Sequence, residues 1–165
     1  MAERTNDKYA NMASNEVELV AGALDFSELL TGISLGQGMG IIIDQIDYYP
    51  GSNLIVDLDA ANDTLEMAWT TSNAIDEINV NNRGVIHRAS MTVQGSVDLS
   101  GQFFLTFPLN YQFFPPIIVA APRIYLAVQG DAGLTGTLYS RLYFRYVKLT
   151  AQEYLELAES FVLVG

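Results

Sequence analysis

Residues 134–149 have the sequence LTGTLYSRLYFRYVKL, the longest segment of the chain in which two kinds of side chain alternate. Successive side chains of a β-strand point to opposite faces, so this spacing predicts one long strand over residues 134–149. The strand would belong to a sheet with one buried face and one outward face. The even positions form an apolar face assigned to the core: Leu138, Leu142, Phe144 and Tyr146. The odd positions form an amphipathic face: Tyr139, Arg141, Tyr143 and Arg145.

Similar but shorter segments, rich in Val, Ile, Leu, Thr and aromatic residues, precede this strand and are separated by Gly, Asn, Asp and Pro. This texture is typical of strands joined by turns. About eight antiparallel strands with almost no helix predict an all-β sandwich, and the uneven connections favour an eight-stranded jelly roll over an immunoglobulin topology. Residues 72–83 and 110–116 are predicted to be long loops. The other predicted strands cover residues 17–24, 33–35, 41–49, 54–58, 64–71, 84–93, 103–109 and 117–128, the last bent at Pro122.

The two ends of the chain depart from this pattern. Residues 1–15 are polar and mixed in charge, and we predict a short flexible arm there. After residue 149 the apolar residues recur at helical spacing, and Thr150 and Glu153 have the spacing of a capping box. A helix is therefore predicted over residues 151–160. The predicted organisation is an N-terminal arm (1–15), one jelly-roll domain (16–149) and a C-terminal helix and tail (150–165).

The charge composition limits the partners of this chain. It has 8 Lys and Arg against 19 Asp and Glu, which gives a net charge of −11. Only 16% of the residues are charged and 50% are hydrophobic, so the imbalance comes from a shortage of basic residues. Polybasic nucleic-acid binders are excluded, since phosphate contacts need Lys and Arg. A surface with so few charges suits a subunit that packs against other copies. Acids such as Asp44 and Asp47 are expected to repel the acids of a neighbouring copy, which would make assembly sensitive to pH or divalent cations.

Composition and motifs also argue against catalysis. The chain has no cysteine, so it forms neither a disulfide nor a thiolate zinc site. No apolar run approaches the roughly 18 residues that indicate a membrane span, and no signal peptide is expected. His87 is the only histidine, and it lies on the apolar face of its predicted strand, where a structural role is expected. Because no catalytic motif accompanies it, we expect neither an enzyme nor a cofactor.

Two further motifs resemble ligand sites in part. Residues 36–40 have the sequence GQGMG, but they lack the spacing of a phosphate loop and precede a strand, so a flexible connection is expected. Asp57, Asp59 and Asp63 lie within seven residues of one another and are the candidate ligands of a calcium ion. The EF-hand pattern is absent there, and a solvated turn is the alternative interpretation.

Aromatic and arginine side chains provide the candidate interface. The outward face of residues 134–149 interleaves tyrosine with arginine, and those arginines are expected to meet carboxylates of neighbouring subunits. An ordinary solvent-facing strand is the alternative. The segment before Pro115 and Pro116 belongs to a region with more aromatic bulk than one sandwich core accommodates, so part of it is expected at a contact. The predicted interface residues are Tyr139, Arg141, Tyr143, Arg145, Phe113 and Phe114.

Together, the arm, the weakly charged sandwich, the Phe113-Phe114-Pro115-Pro116 segment and the terminal helix resemble a viral coat protein. The texture is most similar to the small major capsid proteins of membrane-containing icosahedral viruses of archaea and thermophilic bacteria, over residues 16–149. The resemblance implies a single jelly roll that self-assembles into the icosahedral shell of a virion. Its implied partners are copies of itself, other capsid proteins and an internal lipid membrane, and its implied location is the virion after assembly in the host cytoplasm.

The arm differs from those of coat proteins that wrap a naked genome. Such arms are rich in Lys and Arg, whereas residues 1–15 contain only Arg4 and Lys8, balanced by Glu3 and Asp7. Direct nucleic-acid binding is therefore not expected, and a lipid layer or another protein would separate this subunit from the genome. Two alternatives remain open: a carbohydrate-binding, lectin-like module, since jelly rolls serve that role too, and a phage tail or decoration protein.

Overall fold

The computed structural model describes residues 10–34, 38–58, 63–79, 81–94, 103–104 and 109–162. Within these ranges, strands account for most residues and two helices for the remainder of the regular structure. No described helix has the length and apolar content needed to cross a membrane. The helices are α1 (Ser52–Asp57) and α2 (Ala151–Val162). The strands are β1 (Asn11–Leu19), β2 (Asp25–Leu30), β3 (Met39–Pro50), β4 (Thr64–Thr70), β5 (Val85–Gln94), β6 (Phe103–Phe104), β7 (Asn110–Val119), β8 (Arg123–Gly130) and β9 (Gly136–Lys148).

The described strands form two antiparallel sheets. The first sheet has the order β1-β9-β3-β7, and the second has the order β2-β8-β4-β5, with the two-residue β6 beside β5. Except between β4 and β5, the chain crosses from one sheet to the other at each step from one main strand to the next. This interleaved order is that of a jelly roll. The predicted all-β jelly-roll sandwich is therefore confirmed.

The core lies between the inward faces of the two sheets. The predicted apolar face of the last strand is there: Leu138, Leu142 and Phe144 are buried, and Tyr146 packs against them. Trp69, the only tryptophan of the chain, is completely buried on β4. Both sheets contribute other side chains that are less than 2% exposed, among them Leu19, Ile41, Ile43, Ile46, Tyr48, Leu65, Met67, Ile124 and Leu126.

One buried hydrogen-bond chain crosses this core. The indole Nε1–H of Trp69, from the second sheet, donates to Ser140 Oγ in the first sheet at 2.9 Å. The Ser140 hydroxyl in turn donates to the backbone carbonyl of Asp47 at 2.7 Å. The Trp69 indole N–H would otherwise be buried without a partner, which costs free energy. These two hydrogen bonds therefore fix how the two sheets face each other.

The short strand predicted over residues 54–58 is wrong, because the segment forms helix α1. Leu54 and Leu58 are both completely buried, and their spacing of four places them on one face of a helical turn. A short apolar run does not distinguish a strand from a buried helix. The helix packs tightly on the start of β9, where a Cβ added to Gly136 would lie 2.7 Å from the backbone nitrogen of Leu54.

The strands near the N-terminus are also placed differently from the prediction. β1 begins at Asn11, within the predicted arm, whose residues 1–9 lie outside the described residues. It ends at Leu19 rather than at residue 24, because a turn follows in which Gly22 has φ +74° and lies against the carbonyl of Asp131. The strand predicted over residues 33–35 is wrong for the described residues 33 and 34, and β2 (Asp25–Leu30) precedes them.

The predicted loop over residues 110–116 is wrong, because these residues belong to β7. The single bent strand predicted over residues 117–128 is instead the end of β7 and the whole of β8, which lie in different sheets on either side of Pro122. A proline lacks the N–H needed to continue a ladder, so the chain changes sheets there. Of the strand predicted over residues 103–109, β6 covers Phe103–Phe104, and residues 105–108 lie outside the described residues.

The C-terminal helix is confirmed and covers one end of the first sheet. Glu153 N–H donates to Thr150 Oγ1 at 3.2 Å while Thr150 N–H donates to the Glu153 carboxylate at 2.9 Å, as the predicted capping box requires. Tyr154 and Leu157 of α2 pack on the outward side chains Ile42 and Val147. The outward face of the second sheet is covered in part by the loop of residues 71–84, whose Ile78 packs against β4 and β8.

The hydrogen-bond chain through Ser140 gives a test of the fold. In Ser140→Ala the buried Trp69 indole N–H loses its partner and the Asp47 carbonyl loses one hydrogen bond, so the free energy of unfolding should fall by about 2 kcal/mol. Urea denaturation followed by Trp69 fluorescence measures this. Ser90→Ala, on the outward face of β5, is the matched control and should change stability by less than about 0.5 kcal/mol. Equal stability of the two variants would contradict the role of Ser140.

Candidate assembly surface

The predicted tyrosine and arginine residues of β9 lie on the outward face of the first sheet, as the alternation indicated. Tyr139 and Arg141 are exposed, whereas Tyr143 and Arg145 are half-buried. The two pairs therefore have different surroundings. Only the half of this face that carries Tyr139 and Arg141 is open to a partner.

Arg145 has its partner within the chain. Its guanidinium makes two hydrogen bonds to the carboxylate of Asp44, of 2.8 Å from Nε and 2.6 Å from Nη2. These bonds to Asp44 raise the pKa of Arg145 against the opposing effect of burial. For Arg145, the expected pairing with a neighbouring subunit is therefore replaced by an internal pair. Asp44 is neutralised by the same contact, so it is not a source of repulsion between copies.

Arg141 is different, since its guanidinium lies over an aromatic ring. The Arg141 Cζ is 5.5 Å from the centre of the Tyr49 ring, a cation–π arrangement. Among the described residues, Arg141 has no ion pair. Burial and a hydrogen bond to the Asp47 carboxylate raise the pKa of Tyr49. Tyr49 was not predicted as a site residue. No local sequence signal identifies it, because the register of β3 on β9 is what pairs it with Tyr139.

The Asp47 carboxylate is buried and fully occupied, although it was expected to repel other acids across an interface. It accepts hydrogen bonds from Gln45 Nε2 at 2.9 Å, Asn110 Nδ2 at 2.5 Å and the Tyr49 hydroxyl at 3.1 Å. The residue is only 4% exposed. The acid therefore fixes the Tyr49 ring in place and contributes little to the charge of the surface.

Beside these residues the outward face forms a groove with a volume of about 500 Å³. Its floor is made by β9 and its sides by β1 and by the end of β3. Two tyrosine rings give it apolar surface, and its charged groups are the Arg141 guanidinium and the Glu16 carboxylate. We call it the Tyr–Arg groove, lined by Ser14, Asn15, Glu16, Tyr49, Tyr139, Ser140 and Arg141.

The two predicted phenylalanines occupy a bulge in β7, at the other side of the first sheet. Gln112 pairs with Gln45 and Ile117 pairs with Ile43, so four residues of β7 lie opposite a single residue of β3. Phe113 packs against the core, whereas Phe114 is fully exposed. Of the two, only Phe114 is available to a partner. The extra aromatic bulk of this region is thus divided between core and surface, as expected.

His87 lies in the core next to the bulge. Its ring centre is 4.3 Å from that of Tyr111 and 5.2 Å from that of Phe113, and its Nδ1 shares a 3.1 Å hydrogen bond with the Tyr48 hydroxyl. Burial lowers the pKa of His87 to about 4. Burial, with the neighbouring Tyr111, raises the pKa of Tyr48. These neighbours give His87 the packing role that its position in the sequence predicted.

Two of the three candidate calcium ligands, Asp57 and Asp63, lie within the described ranges. Asp57 ends α1, Asp63 precedes β4, and Asp59 lies outside the described residues. No group of three or more His, Cys, Asp or Glu side chains suited to a metal ion occurs within the described ranges. Of the glycine-rich residues 36–40, residues 36 and 37 lie outside the description, and Met39 and Gly40 begin β3.

The exposed large hydrophobic side chains are distributed unevenly. Seven such residues occur in the described ranges, and five of them belong to the first sheet or to the helix that covers it. Val20 and Leu30 are the other two. Met12 and Leu155 had not been predicted as surface residues. The five are Met12, Tyr49, Phe114, Tyr139 and Leu155.

No protein-family model matches this chain, and no curated protein matches it either. The fold and this surface are therefore the basis for proposing its function.

The surroundings of His87 predict how stability depends on pH. Because its pKa is about 4 in the folded state and about 6.5 in an unfolded chain, the unfolded state binds more protons between these values. The free energy of unfolding should therefore fall as the pH decreases from 6.5 to 4, by about 2 kcal/mol from this residue, whose ring keeps partial access to water. Urea denaturation of the wild type and His87→Phe across this range measures the difference. The carboxylates contribute equally to both proteins, so identical pH slopes would contradict the prediction.

Proposed function

We propose that this protein is a structural subunit of a virion, a capsid protein that builds a closed icosahedral shell through contacts between copies. The observation that carries the proposal is the concentration of exposed apolar side chains on the first sheet of a jelly roll. Exposed aromatic side chains such as Tyr139 and Phe114 are typical of protein–protein contact sites, and jelly rolls are frequent in capsids. The fold alone does not define a function, so these exposed side chains are the stronger support.

The charges of the surface support contacts between copies rather than with nucleic acid. Three of the eight basic residues, Arg88, Arg123 and Arg145, are in ion pairs within the chain. The described residues therefore offer few free cations for phosphate groups, whose binding depends on them. A lipid layer or another capsid protein would then lie between this subunit and the genome.

A carbohydrate-binding function is the second candidate, favoured by the Tyr–Arg groove. Tyrosine rings can stack on sugars, and the groove has polar groups beside them. However, Arg141 already lies over one face of the Tyr49 ring, which leaves the 45%-exposed Tyr139 as the better stacking surface. A monomer that binds a particular sugar on a glycan array would favour this function. A tail or decoration protein would be distinguished by tubes or rings in place of closed shells.

The test of the proposed function is assembly of the purified full-length protein. We expect light scattering and electron microscopy to show oligomers that progress to closed particles at raised concentration or salt. Added salt should favour assembly, because it screens the repulsion between subunits of net charge −11. A protein that stays monomeric at every salt concentration and pH tested would contradict the proposal.

A further inference from the structure

We propose that Phe114 of one copy inserts into the Tyr–Arg groove of the next copy. The inference rests on the proposed function and specifies the contact that would hold neighbouring subunits together. Its two halves are the fully exposed ring on the β7 bulge and the groove across β1, β9 and β3. The occupant of the groove is thus a second copy of this chain.

The β7 bulge presents Phe114 rigidly. On one side Phe113 is packed in the core, 5.2 Å from the His87 ring, and on the other side Ile117 resumes pairing with Ile43. Pro115 follows Phe114 directly, and the fixed φ of proline limits the freedom of the backbone. A backbone held in this way loses little conformational entropy when the Phe114 side chain binds, which favours association.

The bulge also determines the kind of contact that this edge can make. β7 is the edge strand of the first sheet, where a regular strand would offer free backbone groups to another sheet. The residues from Phe113 to Pro116 interrupt that ladder, and two of them are prolines without an N–H. Backbone pairing of this edge with the edge of another sheet is therefore disfavoured. This edge can instead contact another molecule through the Phe114 side chain.

The groove has the chemistry to receive an aromatic ring. The Arg141 Cζ lies 5.5 Å from the centre of the Tyr49 ring and the residue is exposed, so a second aromatic ring can approach the guanidinium from the solvent side. Tyr139 adds a further aromatic surface that is 45% exposed. A phenylalanine inserted there would complete an aromatic–guanidinium–aromatic stack. Binding of a phenylalanine ring requires no carboxylate from the neighbouring copy. Arg141 has no ion pair among the described residues, so its guanidinium is available for such a contact.

Phe114 cannot fill the groove of its own chain. Its bulge lies opposite Asp44, whereas the groove lies at Tyr49, five residues and roughly 16 Å further along β3. The contact must therefore join two copies. The Phe114 side chain, which we call the knob, and the groove are separate surfaces, so one copy can engage two different neighbours. Repetition of this heterologous contact around an axis gives a ring if the rotation closes. Rings of subunits are the units from which a closed shell is built.

Two single variants test the two halves of the contact. Phe114→Ala removes the knob and Arg141→Ala removes the stacking surface, and each should raise the concentration needed for half-maximal assembly at least about tenfold. Both side chains are exposed, so thermal unfolding followed by circular dichroism should be unchanged. The matched controls are Leu30→Ala and Arg123→Ala, which truncate an exposed leucine and an exposed arginine of the second sheet. The controls should assemble within about twofold of the wild type.

Mixing the two variants gives the decisive measurement. At a concentration where neither variant assembles alone, Phe114 of Arg141→Ala can still enter the intact groove of Phe114→Ala. The mixture should therefore form pairs of two chains, detected by sedimentation velocity, but no larger species. If Phe114 and the groove do not contact each other, the mixture should stay monomeric.

The outcomes separate this contact from the proposed function. If the wild type assembles and Phe114→Ala assembles equally well, or the mixture stays monomeric, the contact is overturned while the capsid function stands. If the wild type never assembles, both are overturned. Binding of a sugar to monomeric wild type that is lost in Arg141→Ala would also overturn the contact, since the groove would then have a different ligand.

Discussion

A single core between two sheets requires the inward side chains of neighbouring strands to stay in phase, and the first sheet meets this constraint with one irregularity. Between the inward residues Ile43 and Ile46, β3 has two outward residues where strict alternation allows one. Opposite them, β7 has a four-residue bulge. The extra residues at this irregularity lie on the outward face: Asp44 binds Arg145, and Phe114 projects into solvent. This part of the candidate assembly surface thus results from the way the core residues are kept in register.

The two sheets have outward faces of different character, although both enclose the same core. On the second sheet, Glu66 pairs with Arg88 and Glu28 pairs with Arg123, although the buried Arg88 Nε has no hydrogen-bond partner among the described residues. On the first sheet, α2 covers one end, and the rest displays tyrosine rings and Arg141. Most of the exposed large hydrophobic side chains in the described ranges lie on the first sheet or on α2, so the two outward faces differ in character.

The sequence was most informative where local alternation determines the structure. In β9 it predicted both the core face and the outward tyrosines and arginines, because side-chain direction depends only on strand period. Features that depend on distant partners were not predictable. Arg145 pairs with Asp44, 101 residues away, and the prolines after Phe114 suggested a loop because the pairing of β7 with β3 is not visible in the local sequence. Tyr49 was missed for the same reason, since only the sheet register places it beside Arg141.

The energetics of one knob and one groove explain why such a subunit would need many neighbours. Burying a phenylalanine side chain contributes about 1.5–3 kcal/mol, and a cation–π contact adds about 0.5–2 kcal/mol. Bringing two proteins together costs about 4–15 kcal/mol, so one Phe114 contact alone gives a weak pair that forms only at high protein concentration. In a closed ring every subunit uses both its knob and its groove, and ring closure adds a contact without a further loss of translational freedom. Weak, repeated contacts of this kind allow misplaced subunits to dissociate before a shell closes.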